Sequence, residues 1–498
     1  MIVFSLVRED QNVKSELLSH YIAGEWLQPK DEEWSDDLNP SDATQVLAQV
    51  PQGQTQIIDR AVTAAQDAFK LWRAKTGPER AEILYRAANV LSERRQEIGT
   101  LLAQEVGKPL GEAIPEVDRG AMILRYFASE CVHPQGQVIP AQKAGSLQFT
   151  LRQPVGPVAV ISPWNFPVAI PLWKIAPALA YGNTVVWKPA EVASFTAARI
   201  AEVFASAGLP AGVLNLLLGK GSRVGTPLVE QEGIRAITFT GSNGVGAGIA
   251  EIAARRNIKY QLEMGGKNPA LVLGDADMDQ AAKLIAAGAM RYAGQKCTAT
   301  SRAIVTRDIA DQFVQRLKTE IQALPLAPAV DPKSAVGPLI TKDSLQKVAS
   351  YAEIGAKSGQ TVLGGGYATT DELKNGYFFQ PTLIVDVPPD SAIAQEEVFG
   401  PLLVVELASS IDEAIAIANN SQYGLSVSLF TRDINSALEY IQAIDSGMVR
   451  VNGDTTGVDP HAPFGGMSGS SSHSREQGPA AIEFFTDIKT VQINAAGA

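Results

Sequence analysis

The stretch RYAGQKCTATSR (291–302) holds Cys297, one of only 2 cysteines in 498 residues. Its neighbours Gly294, Thr298, Ala299 and Ser301 are small or polar and leave a thiol room to react. An ionised thiol attacks electrophilic carbon, so the chemistry on offer is covalent. The competing reading is a buried small hydrophobe, the usual state of a free cysteine. In LEMGGKNP (262–269) Glu263 closes an apolar run before two glycines. An apolar setting raises a carboxyl pKa and suits it to general-base work. SPWNFP (162–167) sets Asn165 between two prolines. Their restricted backbone fixes its amide, a donor of the kind that stabilises an oxyanion. An ordinary helix-opening turn explains the same residues.

A second group suits a dinucleotide. FTGSNGVGAGIAEIAARR (239–256) reads as strand, glycine turn and helix, with Gly241 and Gly246 bracketing the turn and Ser242 inside it. Unpaired N–H groups and the helix dipole favour a phosphate there. The pattern is neither GxGxxG nor a P-loop, so a plain strand-to-helix turn stands beside that reading. WKPAE (187–191) ends a strand with Lys188 and Glu191 three residues apart. The carboxylate can accept from a ribose diol and the ammonium can donate to the ribose or a phosphate, or the two form a solvated pair. EEVFGP (396–401) adds Glu397 and Phe399 in a turn.

These groups need elements to hold them. PVAVIS (157–162), NTVVWKP (183–189), VLNLLLG (213–219) and AITFTG (236–241) are short apolar runs separated by segments of helical length such as 194–208. Strands buried on both faces and alternating with helices predict a parallel doubly wound sheet, which binds nucleotides beyond the carboxyl ends of its strands. A second α/β set follows Gly266: strands at 268–273, 301–306 and 426–431, with helices over 277–292 and 308–323. Apolar residues at three- and four-residue spacing make 56–130 helical. Residues 355–380, rich in Gly and Thr, read as surface loops. KTVQIN (489–494) and QFTLRQPV (148–155) read as strands that pair within the chain or with a neighbouring copy.

Composition narrows the partners. A formal charge of −11 without a basic stripe excludes nucleic acid. Two cysteines make no disulfide framework, and the reading is a reducing, cytoplasmic compartment. The start, MIVFSLVRED, lacks a basic leader and a cleavage site, and no apolar run is long enough to span a membrane. His20, His133, His461 and His473 form no HExxH, and there is no CxxC, so no metal is expected.

Taken in order, SPWNFP, KPAE, FTGSxxVG, LEMGGKNP, GQKC, EEVFGP and PFGGM resemble the NAD(P)-dependent aldehyde dehydrogenase superfamily, from about residue 20 to the tail. The resemblance implies an α/β fold with a Rossmann-like cofactor domain (1–135 and 156–265) and an α/β catalytic domain (266–465). It further implies a small β oligomerisation arm (136–155 and 486–498), a return segment (466–485), and a homodimer or homotetramer. It makes Cys297 the nucleophile that forms a thiohemiacetal and then a thioester. Asn165 and the Cys297 N–H become the oxyanion donors, and Glu263 the base that hydrolyses the thioester. Ser162, Pro163 and Trp164 would wall the cofactor, with Lys188 and Glu191 at the adenosine ribose. Gly241, Ser242 and Gly246 would lie at the pyrophosphate, with Glu397 and Phe399 at the nicotinamide. Glu191 opposes a 2′-phosphate, which favours NAD over NADP.

Lys296 directly before the nucleophile and the Ser/His-rich run after PFGGM resemble the 2,5-dioxovalerate (α-ketoglutaric semialdehyde) dehydrogenases of sugar-acid catabolism. Arg291, Lys296, Thr298 and His461 are then the candidates for the substrate's acid end, each with a structural ion-pair or capping role as the alternative. Succinate semialdehyde or a broad aldehyde range are the rival substrates. A cysteine hydrolase pairing Cys297 with His461 or His473 is the rival from another class.

Overall fold

The computed structural model describes residues 15–28, 33–133 and 135–495. The opening run MIVFSLVRED lies outside them. The first seven-stranded sheet runs, in spatial order, Lys259–Glu263, Ala236–Thr240, Pro157–Ile161, Thr184–Lys188, Leu214–Leu216, His20–Ile22 and Glu25–Leu27. Its first five strands are parallel. AITFT is buried throughout and PVAVI nearly so, as expected of strands covered on both faces. Helices supply the cover. Thr55–Ala74 turns Ile58, Ala61, Val62, Ala65 and Trp72 inward at helical spacing. Gly77–Glu93 starts at a capping box between Thr76 and Glu79.

The second seven-stranded sheet orders Gln360–Leu363, Thr382–Val385, Leu402–Ala408, Thr300–Thr306, Asn268–Val272, Ser426–Phe430 and Met448–Val451. All neighbours are parallel except the first pair. Buried at its centre, Arg302 donates to both Glu406 oxygens, at 2.7 and 3.0 Å. A third, antiparallel sheet joins Ser146–Pro154 to Thr486–Asn494 and Val138–Ile139. The two tail strands therefore pair within the chain.

Two segments depart from the sequence reading. Residues 355–380 are not all loop: helix Lys342–Ser358 runs into them, and edge strand Gln360–Leu363 follows. Gly359 beside that short, half-buried strand hides it. The hairpin Trp34–Asn39 and Asp42–Pro51 is also illegible in the sequence, because SDD and DATQ are polar.

His20 is buried in its strand, and its Nδ1 accepts from the Leu218 N–H at 3.1 Å. Burial pushes its pKa down to about 4. The folded value lies below the unfolded one, so the stabilisation is complete above the unfolded pKa and fades as pH falls towards 4. The urea unfolding free energy should drop about 3 kcal/mol more between pH 7 and 4 than in His20→Gln. Equal drops in the two proteins would contradict this.

Candidate active site

Cys297 follows an uncommon turn. Tyr292, Ala293 and Gly294 have φ of 55°, 52° and 66°, a left-handed run that costs energy at its non-glycine members. Surrounding bonds hold it. The Tyr292 hydroxyl donates to the Val106 carbonyl at 3.2 Å and its N–H to the Ala335 carbonyl at 3.1 Å. Gln295, fully buried, donates to the Tyr292 and Pro338 carbonyls at 3.3 and 3.1 Å and accepts from the Ile340 N–H at 2.9 Å. Asn268 donates to the carbonyls of Cys297 and Ala299 at 2.8 and 2.9 Å. These two buried amides fix the loop. Sequence reasoning quoted the motifs that contain them but assigned them nothing. Asn165 donates one N–H to the Gln295 carbonyl at 3.2 Å. It lines, with Cys297, a cavity of about 260 Å³.

Glu263 ends its strand 2 % exposed. Its Oε2 accepts from the Ser471 hydroxyl, and Oε1 has no partner among the described residues. Gly465 (φ 146°) makes room for Oε1, since a Cβ there would stand 2.9 Å away. Next to Glu263 lies the buried Lys174–Glu476 ion pair, with Lys174 also donating to Thr238 at 3.0 Å. Burial, then the charge of Glu476, pushes the Glu263 carboxyl well above the usual carboxylate range; Ser471, Lys174 and Arg475 oppose this. Burial, then the charges of Glu397 and Glu263, pushes the Cys297 thiol up to about 12, against the pull of the Thr298 N–H and its own. The resting sulfur is a thiol and needs a proton acceptor before it attacks.

A second cavity of about 590 Å³ shares Pro163, Trp164, Thr240, Gly241 and Ser242 with the first, so the two form one elongated cleft. Its far end is apolar, lined by Val229, Val245, Ile249 and Ile252. Its middle meets the start of helix Asn243–Arg256, where the Ser242 hydroxyl makes no capping bond. Lys188, 5 % exposed, lines the wall, and its ammonium has no hydrogen-bond partner among the described residues. Burial brings its pKa down to about 8, against the pull of Glu191. Beside Cys297, Glu397 accepts from the Gly266 N–H at 3.0 Å. Phe399 (φ 61°) stands edge-on to Trp164 with ring centroids 5.6 Å apart. An apolar slot, an uncapped helix start with an idle cation, and a carboxylate near the thiol fit adenine, diphosphate and nicotinamide ribose in that order.

Several expected residues sit differently. Gly246 lies off the cleft wall: a Cβ there would come 2.6 Å from the Met264 sulfur. It serves helix–strand packing, while Gly244 and Gly248 face the cleft. Glu191 Oε1 is occupied by Ser35 and Gln52 at 2.8 and 2.9 Å, which leaves Oε2 for a ligand. Lys296 is paired with Glu112 at 2.8 Å. Thr298 is buried, and its carbonyl accepts from Thr455 at 2.7 Å. Arg291 and His461 are exposed. His461 and His473 are both exposed, and neither hydrogen-bonds Cys297, so the hydrolase pairing has no geometric basis. Among the described residues no cluster of His, Cys, Asp and Glu could hold a metal, and no helix is long and apolar enough to cross a membrane.

A thiol beside a fixed amide donor, at the end of a dinucleotide-shaped cleft, is how a dehydrogenase working through a covalent intermediate is built. The chain belongs to the aldehyde dehydrogenase family, whose model matches residues 26–491. It is 47% identical to the alpha-ketoglutaric semialdehyde dehydrogenase of Bacillus subtilis, over 95% of this chain and 97% of that protein. It is 36% identical to the 2,5-dioxopentanoate dehydrogenase of Saccharolobus solfataricus, over 94% and 98%. Among solved structures, the betaine aldehyde dehydrogenase of Staphylococcus aureus in complex with NAD+ matches with a TM-score of 0.93 at 33% identity, covering 96% of this chain and 95% of that one.

Proposed function

We propose that the chain oxidises 2,5-dioxopentanoate (α-ketoglutaric semialdehyde) to 2-oxoglutarate with NAD(P)+. The observation that carries this is the 47% identity over 95% of the chain to a protein of that named activity. A charge cluster behind the Cys297 loop supports it. Lys108, Arg119, Arg291 and Lys296 face Glu112 and Glu116, with Asp459 and Arg450 also acting on Arg119, so cations outnumber carboxylates in that cluster, as suits an acidic substrate. Lys108 also lies 3.6 Å over the ring of Phe166, the neighbour of Asn165. Arg119, which the sequence reading passed over, is half-buried with no hydrogen-bond partner among the described residues. Of the earlier candidates, Arg291, Thr298 and His461 keep their polar groups uncommitted to an ion pair, whereas Lys296 is already neutralised by Glu112.

Each residue then has a task. Cys297 gives its proton to water in the cleft and its sulfur bonds the aldehyde carbon, while Asn165 and the Cys297 N–H hold the resulting oxyanion. Bound at Lys188, Glu191, Ser242, Glu397 and Phe399, NAD(P)+ supplies the hydride acceptor that makes thioester formation an oxidation. Glu263 takes a proton from water, the hydroxide adds to the thioester carbon, and the C–S bond breaks to release the acid. NAD is the preferred form, because the Glu191 carboxylate beside the ribose repels a 2′-phosphate. Initial rates should give kcat/KM at least about tenfold higher with NAD, and Glu191→Gln should narrow that ratio.

The chain is further read as a cytoplasmic homodimer or homotetramer divided at the boundaries given above. Val138, Leu147, Leu151, Ile488 and Ile493, exposed on the third sheet, support its pairing with another copy. The deciding experiment compares turnover of 2,5-dioxopentanoate and succinate semialdehyde. A higher kcat/KM for the first is expected, and a clear preference for the second overturns the assignment.

A further inference from the structure

The serine-rich segment after PFGGM lies along the strand that carries Glu263. The Ser472 N–H donates to the Leu262 carbonyl at 2.9 Å, and the Leu262 N–H donates to the Ser472 hydroxyl at 2.9 Å. The Met264 N–H donates to the Ser470 carbonyl at 2.8 Å, and the Ser470 hydroxyl donates to the Gly265 carbonyl at 2.8 Å. Gln261 donates to the Ser474 hydroxyl at 3.1 Å. Those serines tie the segment to the strand through backbone and hydroxyl bonds and leave the Glu263 carboxyl untouched. Ser471, bridged to Glu263 across the same pairing, is different. Its oxygen accepts from the Gly466 N–H at 2.6 Å and its proton goes to Glu263 Oε2.

We propose that Ser471 is a positioning residue for the general base: anchored by Gly466, its hydroxyl holds Glu263 Oε2 and leaves Oε1 as the atom that takes the proton from water. The geometry is one-sided. Oε1 is the carboxyl oxygen without a partner, and it points where Gly465 leaves space. A carboxylate tethered through one oxygen loses its rotation and presents the other in one direction. The groups acting on it electrostatically are Glu476, Lys174 and Arg475, and its own charge acts on Cys297. Among these neighbours Ser471 is the neutral donor, and it favours the ionised base. Without it the carboxyl keeps its proton to higher pH and is free to swing towards Lys174.

The inference rests on the thioester route above, so the test separates the two halves of that route. Enzyme with excess NAD is mixed with substoichiometric 2,5-dioxopentanoate; NADH absorbance follows acylation, and quenched-flow assay of the released acid follows hydrolysis. In Ser471→Ala the NADH phase should stay within about twofold of wild type. Hydrolysis should slow about tenfold or more, with its acid-side midpoint moved to higher pH. Ser471→Thr, which keeps the hydroxyl, should restore rate and midpoint together. Hydrolysis in Ser471→Ala within twofold of wild type and with an unmoved midpoint overturns the proposal. So does equal slowing of both phases that Ser471→Thr fails to rescue, since that is a structural defect. A wild-type enzyme giving no NADH phase indicts the substrate assignment instead, and the same series is then run on the aldehyde that it does oxidise.

Discussion

Cys297→Ala should abolish aldehyde-dependent NADH formation while leaving the binding of NAD unchanged. The two halves of this result come from different parts of the cleft. On the proposed route the sulfur is the atom that bonds the substrate carbon, and the nearby Thr298 and Ser301 hydroxyls are far weaker nucleophiles. The loss should be on the order of 10⁴-fold or more, the scale seen when a covalent nucleophile is deleted. Most of the proposed cofactor contacts lie away from the sulfur: Lys188, Ser242 and the apolar slot at Val229 and Ile249 line the second cavity, and alanine at 297 leaves Glu397 and Phe399 in place at the nicotinamide end of the first. The carbonyl of residue 297 still accepts from Asn268, so the turn keeps its anchors. Titration of NAD against the fluorescence of Trp164, which lines both cavities, measures the retained binding. A variant that loses both functions has lost its fold, whereas one that keeps oxidation places the nucleophile elsewhere.

Glu263→Gln should convert the enzyme into one that acylates and then stalls. The amide preserves size and can still meet Ser471, but it cannot take a proton from water. Loss of a general base costs about 10²–10⁴-fold in the step that it serves. One equivalent of NADH should appear quickly and then almost nothing, with the acyl group recoverable on Cys297 by mass spectrometry. The wild-type pH profile has the matching sign. Glu263 works as its anion, and its pKa is raised by burial and by Glu476. Hydrolysis therefore falls as pH drops through a midpoint well above the ordinary carboxylate range, and that limb should vanish in the glutamine variant. A profile that keeps the limb assigns it to another group.

The chemistry was more legible than its supports. Cys297, Asn165, Glu263 and Glu397 lie far apart in sequence, yet their types and small-residue settings announce reactive groups; the fold brings Cys297, Asn165 and Glu397 to one cleft and Glu263 close enough for its charge to act on the thiol. The parallel strands were equally legible, since PVAVI and AITFT have nothing polar to face solvent. What escaped was pairing across distance. Lys296 meets Glu112, 184 residues away, and Glu191 meets Ser35, 156 residues away; no local pattern announces such partners. Gly246 illustrates a subtler failure, because a glycine that admits a phosphate and one that admits a methionine side chain look identical in sequence. The Ser/His-rich run drew attention as a mark of substrate choice, while its serines bond the strand bearing the base.

The protonated state of Cys297 has a consequence beyond turnover. Peroxides and alkylating agents react with thiolates and hardly at all with thiols. Burial and the carboxylates of Glu397 and Glu263 hold the thiol up at about 12, so the idle sulfur should be slow to form sulfenic acid, and its oxidation by peroxide should quicken as pH rises towards that value.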